Sequence, residues 1–330
     1  MRSVGVISRR AWFFEGITTC RESTRSTAQT PPWMASSRRK TTVLKGTVDL
    51  HPAKARLVVN ADGFGMSDAR TRGVLAAHQH GSVTSTSVLG NVADPQTLKA
   101  ELAPAPNLGV GVLLSLEDGP SVAKPETVPS LVGSDGRFPS RARDVLLNWA
   151  KATLAPADIE REFDAQVARF RDLGLVIDHL CTRSALGFLP VVAHAIENVA
   201  RRHGIAGLRT AVERPTLAWT ADLPRGMATA MLGAMAWYSR RQLGSRRHGP
   251  QSWGYFESGR LDEIRILEIL GRMGPGCHEI ICQPDLDSSS PWNQGNQLPA
   301  RGEVAALTSA RVREAIANRN IELCRWSDLF

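Results

Sequence analysis

An aspartate stands at a sharp turn directly after a short run of apolar residues. The run is Leu57-Val58-Val59, which is typical of a strand buried on both faces. It ends in Asn60-Ala61-Asp62-Gly63-Phe64-Gly65, where two glycines around one aromatic residue predict a tight turn. Chemistry in parallel α/β folds collects at this end of the strands, so Asp62 is a candidate site residue. The alternative role of Asp62 is to form the turn through its own side chain.

The residues that follow this turn predict a helix and then a second strand. Ser67 is a predicted helix N-cap, residues 69–80 have helical composition ending at Gly81, and residues 83–89 alternate as a strand. Strands and helices keep alternating along the chain, and the last predicted helix covers residues 301–318. This alternation predicts a parallel sheet, so the expected fold class is α/β, an irregular single-domain (β/α) barrel over residues 55–330.

The positive charge of the chain is concentrated at its amino end. Residues 1–54 hold ten Lys and Arg against three Asp and Glu, a net charge of +7 out of +8 for the whole chain. We therefore expect a disordered basic tail, and a body without the positive charge that nucleic acids require. The five cysteines include no C-x-x-C pair, which favours a reduced, cytoplasmic protein. The longest apolar run, residues 226–238, is too short to span a membrane.

The opening unit resembles that of the YdjC-like carbohydrate deacetylases, the family of chito-oligosaccharide and hopanoid-associated deacetylases. The family pattern reads ADDFG, a serine, a helix ending in AH and a later glycine, and a strand VTST. This chain keeps Ala61, Asp62, Phe64, Gly65, Ser67, Ala77, His78, Gly81 and residues 83–86. Further matches in the same order are LGVGVLLSL at 108–116, VPSLVGSDGRF at 128–138 and residues 324–329. The resemblance implies the family fold for nearly all of the chain after the tail.

The resemblance also implies a catalytic site, and this sequence departs from it. The family hydrolyses N-acetyl groups of amino sugars with a divalent metal such as Mg or Zn, which lowers the pKa of a bound water. Asp62 matches the base of that mechanism. Other residues stand where the family has its metal ligands, namely Gly63, Leu113, Arg183, Ala185, Gly187 and Gln283. Glycine, leucine and alanine side chains cannot bind a metal and arginine repels one, so no metal cofactor is predicted for this chain.

Two further residues, His179 and Arg209, are predicted contacts for a bound ligand. The alternative for His179 is a hydrogen-bonded structural histidine. The main functional hypothesis is a divergent family member that keeps a carbohydrate-binding cleft and has weak or absent metal-dependent hydrolysis. The alternatives are an active deacetylase with a different ligand set, and polyanion or nucleic-acid binding through the basic tail. The predicted partner is an amino sugar or glycan-like small molecule, and a homodimer is left open.

Overall fold

A computed structural model describes the chain from residue 54 onward with several gaps. The described residues are 54–92, 94–209, 213, 222–243, 249–255, 257, 261–287 and 301–330. The chain divides into two units, Met1–Asp49 and Leu50–Phe330, and all of the described residues belong to the second. The predicted tail, residues 1–54, lies outside the described residues except for Lys54, so its disorder stays a prediction.

The strands of the described chain form one parallel sheet that curls into an irregular barrel. Its strands are β1 (Ala55–Phe64), β2 (Ser85–Leu89), β3 (Gly109–Leu114), β4 (His179–Thr182), β5 (Gly207–Leu208), β6 (Gln251–Trp253), β7 (Gly276–Cys282) and β8 (Glu322–Leu323). The order is β5-β4-β3-β2-β1-β7-β6, and β8 pairs with β1. A parallel bridge between Glu213 and Ser252 joins the chain after β5 to β6 at the other end of the sheet. The predicted α/β barrel is therefore confirmed.

Helices alternate with these strands and cover the outside of the sheet. They are α1 (Asp68–His80), α2 (Pro95–Leu102), α3 (Ala142–Ala150), α4 (Pro156–Arg171), α5 (Pro190–His203), α6 (Leu223–Leu243), α7 (Glu263–Arg272), α8 (Gly302–Leu307) and α9 (Ala310–Asn318). As predicted, Ser67 caps α1, because its side chain accepts a hydrogen bond of 3.1 Å from the Arg70 backbone N–H. Among the described helices, none has the length and apolar composition that crossing a bilayer requires.

Two sequence predictions about these elements were wrong. The helix predicted over residues 301–318 is two helices, because the Leu307 carbonyl accepts hydrogen bonds from the backbone and side chain of Ser82 (3.1 and 3.2 Å). A carbonyl engaged by a distant residue marks the last turn of a helix, and the chain restarts at Ala310. The strand β6 was missed because three residues are too few to show a period of two.

Successive residues of β1 point to opposite sides of the sheet. Leu57, Val59 and Ala61 are buried in the large apolar core under the helices. Asn60 and Asp62 alternate with them and therefore face the barrel interior. Trp326 closes the amino end of this interior, where its ring stacks on that of His179 with centroids 4.9 Å apart. The interior is thus partly polar, and its polar groups are cut off from water at that end.

A buried polar stripe on α4 holds the long segment that follows β3. Glu162 accepts hydrogen bonds from the backbone N–H groups of Val122 (3.0 Å) and Ala123 (2.9 Å). One turn further, Gln166 accepts from the N–H of Ser115 (3.0 Å) and donates to its carbonyl (2.7 Å). Burial raises the pKa of Glu162 even though these hydrogen bonds favour its charged form. The segment therefore has a defined path across the carboxyl end of the barrel.

Candidate functional site

Four of the predicted site positions lie at one rim of the barrel. Asp62 is near the end of β1, and Leu113 is near the end of β3. Arg183 directly follows β4, and Gln283 directly follows β7. Because these strands run parallel in one sheet, their carboxyl ends meet at the same edge. The fold thus brings together positions that are separated by up to 221 residues in the sequence.

The main charged group at this rim is a buried arginine between two carboxylates. The Arg209 guanidinium donates to both oxygens of Asp62, with N–O distances of 2.6 and 2.9 Å. It also donates twice to Oε1 of Glu279, at 2.7 and 2.9 Å. The side chains of Arg209 and Glu279 are 5% and 0% exposed. Burial lowers the pKa of Arg209, but the attraction of the two carboxylates is larger than this effect. The pKa of Arg209 therefore lies well above its ordinary value.

A chain of hydrogen bonds fixes Asp62 from the interior side. Asn60 donates through one nitrogen to Oδ1 of Asp62 (2.8 Å) and to the hydroxyl of Ser87 (2.9 Å). The Ser87 hydroxyl lies 3.0 Å from Nε2 of His179, and Nδ1 of that ring lies 2.7 Å from Asp178. With the ring proton on Nδ1, each group in the chain has a compatible donor or acceptor. This chain therefore orients the Asp62 carboxylate from the interior side, in addition to the two hydrogen bonds from Arg209.

His179, a predicted ligand contact, therefore lies inside the barrel with both ring nitrogens hydrogen-bonded and with no exposed surface. These contacts favour the structural alternative. Arg209, the other predicted contact, lies at the rim and binds Asp62 directly.

Gly111 gives the His179 ring its space, which leads to a testable prediction. A Cβ built on Gly111 would overlap the ring. We expect Gly111→Ala to lower the free energy of unfolding by about 1–3 kcal/mol, measured by urea denaturation, because the core cannot take the added methyl without strain. Gly271→Ala is the control, since its built Cβ makes only an ordinary contact of 3.6 Å with Arg319. In a His179→Ala background the Gly111→Ala cost should fall; an unchanged cost would contradict the packing described.

Gly63 stands next to a second buried arginine. Its φ of +92° belongs to the left-handed region that favours glycine, and a Cβ built there would lie 2.5 Å from Sδ of Met66. The same Cβ would lie 3.6 Å from the Arg70 guanidinium. Arg70 pairs with Asp285 at 3.0 Å and approaches the side chain of Gln283 at 3.4 Å. The space beside Gly63 and Gln283 is therefore filled by the Arg70 guanidinium, whose charge is paired with Asp285.

Leu113 belongs to a small apolar cluster at the same level of the barrel. Its buried members are Leu89, Leu113 and Cys181, and Met66 and Val92 pack against them. Burial raises the pKa of the Cys181 thiol to about 12, so the thiolate that metals bind is not formed near neutral pH. The cluster presents hydrocarbon and a neutral thiol beside Asp62.

The remaining predicted positions follow β4. Arg183 donates to the backbone carbonyl of Glu117 (3.1 Å) and pairs with Asp118 (3.4 Å), so it anchors the segment after β3. Burial raises the pKa of Glu117, although the charge of Arg183 opposes this. Ala185 and Gly187 lie in a short 3-10 helix, Ala185–Phe188, and a Cβ on Gly187 would overlap Thr182.

These residues do not fit a divalent metal ion. Both Asp62 oxygens already bind Arg209, and the neighbouring positions supply hydrocarbon, a neutral thiol or a positive charge. Within the described ranges, no three His, Cys, Asp or Glu side chains are grouped so that they could hold a metal. A catalytic metal needs about three protein ligands, so the donor set is too small.

Sequence reasoning missed two residues of this site. Glu279 sits in the middle of β7 between His278 and Ile280, and a carboxylate in the interior of a predicted strand was the available signal. Asn60 lies two residues before Asp62, so the period of a strand places both side chains on one face. Asn60 Oδ1 and Glu279 Oε2 are buried and have no hydrogen-bond partner in the described part of the chain.

A parallel barrel with an aspartate held at the carboxyl rim defines a protein of the α/β-barrel class. Residues 56–318 match the sequence pattern of the YdjC-like protein family. Since the match covers well over half of the chain, this protein belongs to the YdjC-like family.

Several relatives carry enzymatic names. A carbohydrate deacetylase of Geobacillus stearothermophilus is 27% identical over 277 residues, covering 83% of this chain and 97% of the relative. A chitooligosaccharide deacetylase of Salmonella paratyphi B is 28% identical over 273 residues, covering 80% and 94%. A crystal structure from Enterococcus faecalis, provisionally named a cellobiose-phosphate cleavage protein, has a TM-score of 0.64 and 24% identity, covering 84% of this chain and 99% of that one. That structure supports the fold alone.

Proposed function

We propose that this protein binds an amino sugar or a related glycan at the carboxyl rim and has lost most or all metal-dependent deacetylation. Relatives that align along most of the chain are named carbohydrate deacetylases, which supports the ligand class. The observation that carries the proposal is the rim itself, where Arg209 binds both oxygens of Asp62 beside the apolar cluster around Leu113.

The loss of hydrolysis follows from the chemistry of water. A metal lowers the pKa of bound water from 15.7 to about 7, and losing this effect costs roughly 12 kcal/mol in deprotonation. A general base typically supplies about 10²–10⁴-fold, which offsets only a small part of that cost. Arg209 also binds both oxygens of Asp62 and so competes with a water molecule for them. A held carboxylate can still orient a ligand by accepting hydrogen bonds from sugar hydroxyls.

A half-buried tyrosine at the same rim, Tyr255, packs on the buried Phe188 and offers a second contact for a sugar. Phe188 lies in the 3-10 helix after β4, and Tyr255 lies two residues after β6. Their rings meet edge to face with centroids 6.0 Å apart. Aromatic rings have the large apolar surface on which a sugar face stacks, and the Tyr255 hydroxyl adds a polar end.

The proposal is tested by elemental analysis, a deacetylase assay and calorimetry with N-acetylglucosamine oligomers. We expect less than a tenth of a divalent ion per chain, no acetate release above background, and oligomer binding that Tyr255→Ala weakens about tenfold. Tyr238→Ala is the matched control, because Tyr238 lies on α6 and is exposed. One ion per chain with chelator-sensitive turnover would instead establish an active deacetylase with another ligand set. Absence of oligomer binding would overturn the proposed ligand.

A further inference from the structure

Three buried oxygen atoms in the barrel have no hydrogen-bond partner among the described residues. They are Oδ1 of Asn60 on β1, Oγ of Ser252 on β6 and Oε2 of Glu279 on β7. All three residues are completely buried, with no exposed surface. Buried polar atoms are almost always paired, because an atom that has left water without a new partner costs free energy. Three such atoms in one region therefore indicate a bound species that all of them contact.

The register of the sheet brings these three residues together. Ser252 and Glu279 are direct partners across β6 and β7, and Glu279 is the partner of Val58 across β7 and β1. Asn60 lies two residues after Val58, so its side chain is on the same face of the sheet. Trp253, which alternates with Ser252, packs in the large core under the helices. The face shared by Asn60, Ser252 and Glu279 is therefore the one that lines the barrel interior.

Hydrogen bonds to other groups fix where two of these oxygens point. A carboxylate only accepts, so Asn60 must present its amide nitrogen to Asp62, and the same nitrogen reaches Ser87 on β2. Because β1 lies between β2 and β7, the amide oxygen faces the β7 side. Glu279 gives Oε1 to two nitrogens of Arg209, which leaves Oε2 for another contact. The amide oxygen and Oε2 thus face the same part of the interior, beside the Ser252 hydroxyl.

The charges around these oxygens favour a cation. Asp62 and Glu279 share the single guanidinium of Arg209, so one unit of negative charge is left over between the two carboxylates. Such a charge is costly in a protein interior unless an opposite charge accompanies it. Oxygen donors are the ligands that hard cations prefer, and one positive charge balances the excess. The buried indole N–H of Trp326, packed on Val58, can donate to a water molecule bound to the ion.

We propose that the barrel interior binds one monovalent cation, potassium, sodium or ammonium, through Asn60 Oδ1, Ser252 Oγ and Glu279 Oε2. The ion neutralises the excess carboxylate charge and stabilises the pairing of Arg209 with Asp62 and Glu279. It lies inside the barrel and uses none of the rim positions at which the family holds a divalent metal. The proposal is independent of the proposed ligand and of the loss of hydrolysis.

Thermal unfolding of the full chain in different chloride salts tests the cation. Potassium, sodium and ammonium chloride are compared with choline chloride at the same ionic strength, because choline is too large for a closed interior. We expect the Tm to be about 5 °C higher in at least one small cation, which corresponds to a salt concentration roughly 100 times its Kd. The order of the three salts identifies the ion. Equal Tm values in all four salts would overturn the proposal.

Two buried carboxylates supply the variant and its matched control. Glu279→Gln removes the excess charge and keeps an amide oxygen for Arg209, so it should abolish the difference between small cations and choline. Glu162 is just as buried, but its two oxygens accept backbone hydrogen bonds from Val122 and Ala123. Glu162→Gln should therefore keep the difference, whatever its own effect on Tm. A difference that survives in Glu279→Gln would contradict the assigned ligand.

Thallium(I) diffraction locates the ion independently of stability. Thallium(I) replaces potassium and scatters anomalously, so crystals grown with thallium(I) acetate should show one anomalous peak in contact with the three oxygens. Ser252→Ala removes one oxygen without changing the charge, and we expect it to weaken the ion about tenfold, seen as a shift in the midpoint of a potassium titration. An ordered water at this point with no anomalous peak would overturn the proposal, because the three oxygens would then be satisfied by water alone.

Discussion

Arg209→Leu is expected to lower the free energy of unfolding by about 3–5 kcal/mol. The substitution leaves Asp62 and Glu279 as two neighbouring carboxylates in a buried site without the cation that both now bind. Each would lose charged hydrogen bonds that water cannot replace at that depth. Equilibrium urea denaturation of the variant and the parent protein measures the loss directly.

The matched control is an arginine with the same number of carboxylate partners at the surface. Arg202 pairs with Asp164 at 2.8 Å and also with Glu160, and its side chain is 50% exposed. Arg202→Leu should cost about 1 kcal/mol or less, because solvent screens the charges that remain. If the two variants lost similar stability, Arg209 would not be the buried centre of the rim. Glu279→Gln added to Arg209→Leu should recover part of the loss, since one of the two unpaired charges is removed.

Rebuilding a metal site in this barrel is expected to cost about 5 kcal/mol of stability in the apo protein. The triple change is Gly63→Asp, Leu113→His and Arg183→His. An aspartate at position 63 must adopt a φ of +92° and displace Met66, and a histidine at position 113 puts a polar ring into the apolar cluster. The triple variant should nevertheless gain more zinc-binding free energy than the three single variants together, since the ligands of one ion are coupled.

Urea denaturation with and without zinc chloride measures both effects, because an ion that binds only the folded state raises its stability by linkage. Met66→Ala should raise the stability of the triple variant, since the atom nearest to the Cβ of the new aspartate is the Met66 sulfur. The single variant Arg183→His supplies the control with one new ligand and should bind zinc weakly. A stable apo triple variant, or tight zinc binding by any single variant, would contradict the packing around Gly63 and Leu113.

Local patterns in the sequence determined the order and type of most elements. The apolar run of β1, the Ser67 cap and the helical composition of residues 69–80 are short-range signals, and each depends on neighbours within one or two turns. The residue types at Gly63, Leu113 and Arg183 were also enough to predict that no metal cofactor is bound, because glycine, leucine and arginine side chains are not metal ligands in any fold. The prediction that metal-dependent hydrolysis is impaired still awaits the assays proposed above.

Tertiary structure alone decided which charges pair and what fills the rim. Asp62 and Arg209 are 147 residues apart, and their contact arises from strand order and register, which no local pattern contains. The same holds for Glu279, whose partner could not be read from β7, and for His179, which the closing Trp326 makes a core residue. The break between α8 and α9 was hidden for the same reason, because a hydrogen bond from Ser82 across the fold sets it. Short-range energetics place elements along the chain, whereas the burial of charge depends on packing between elements that are distant in sequence.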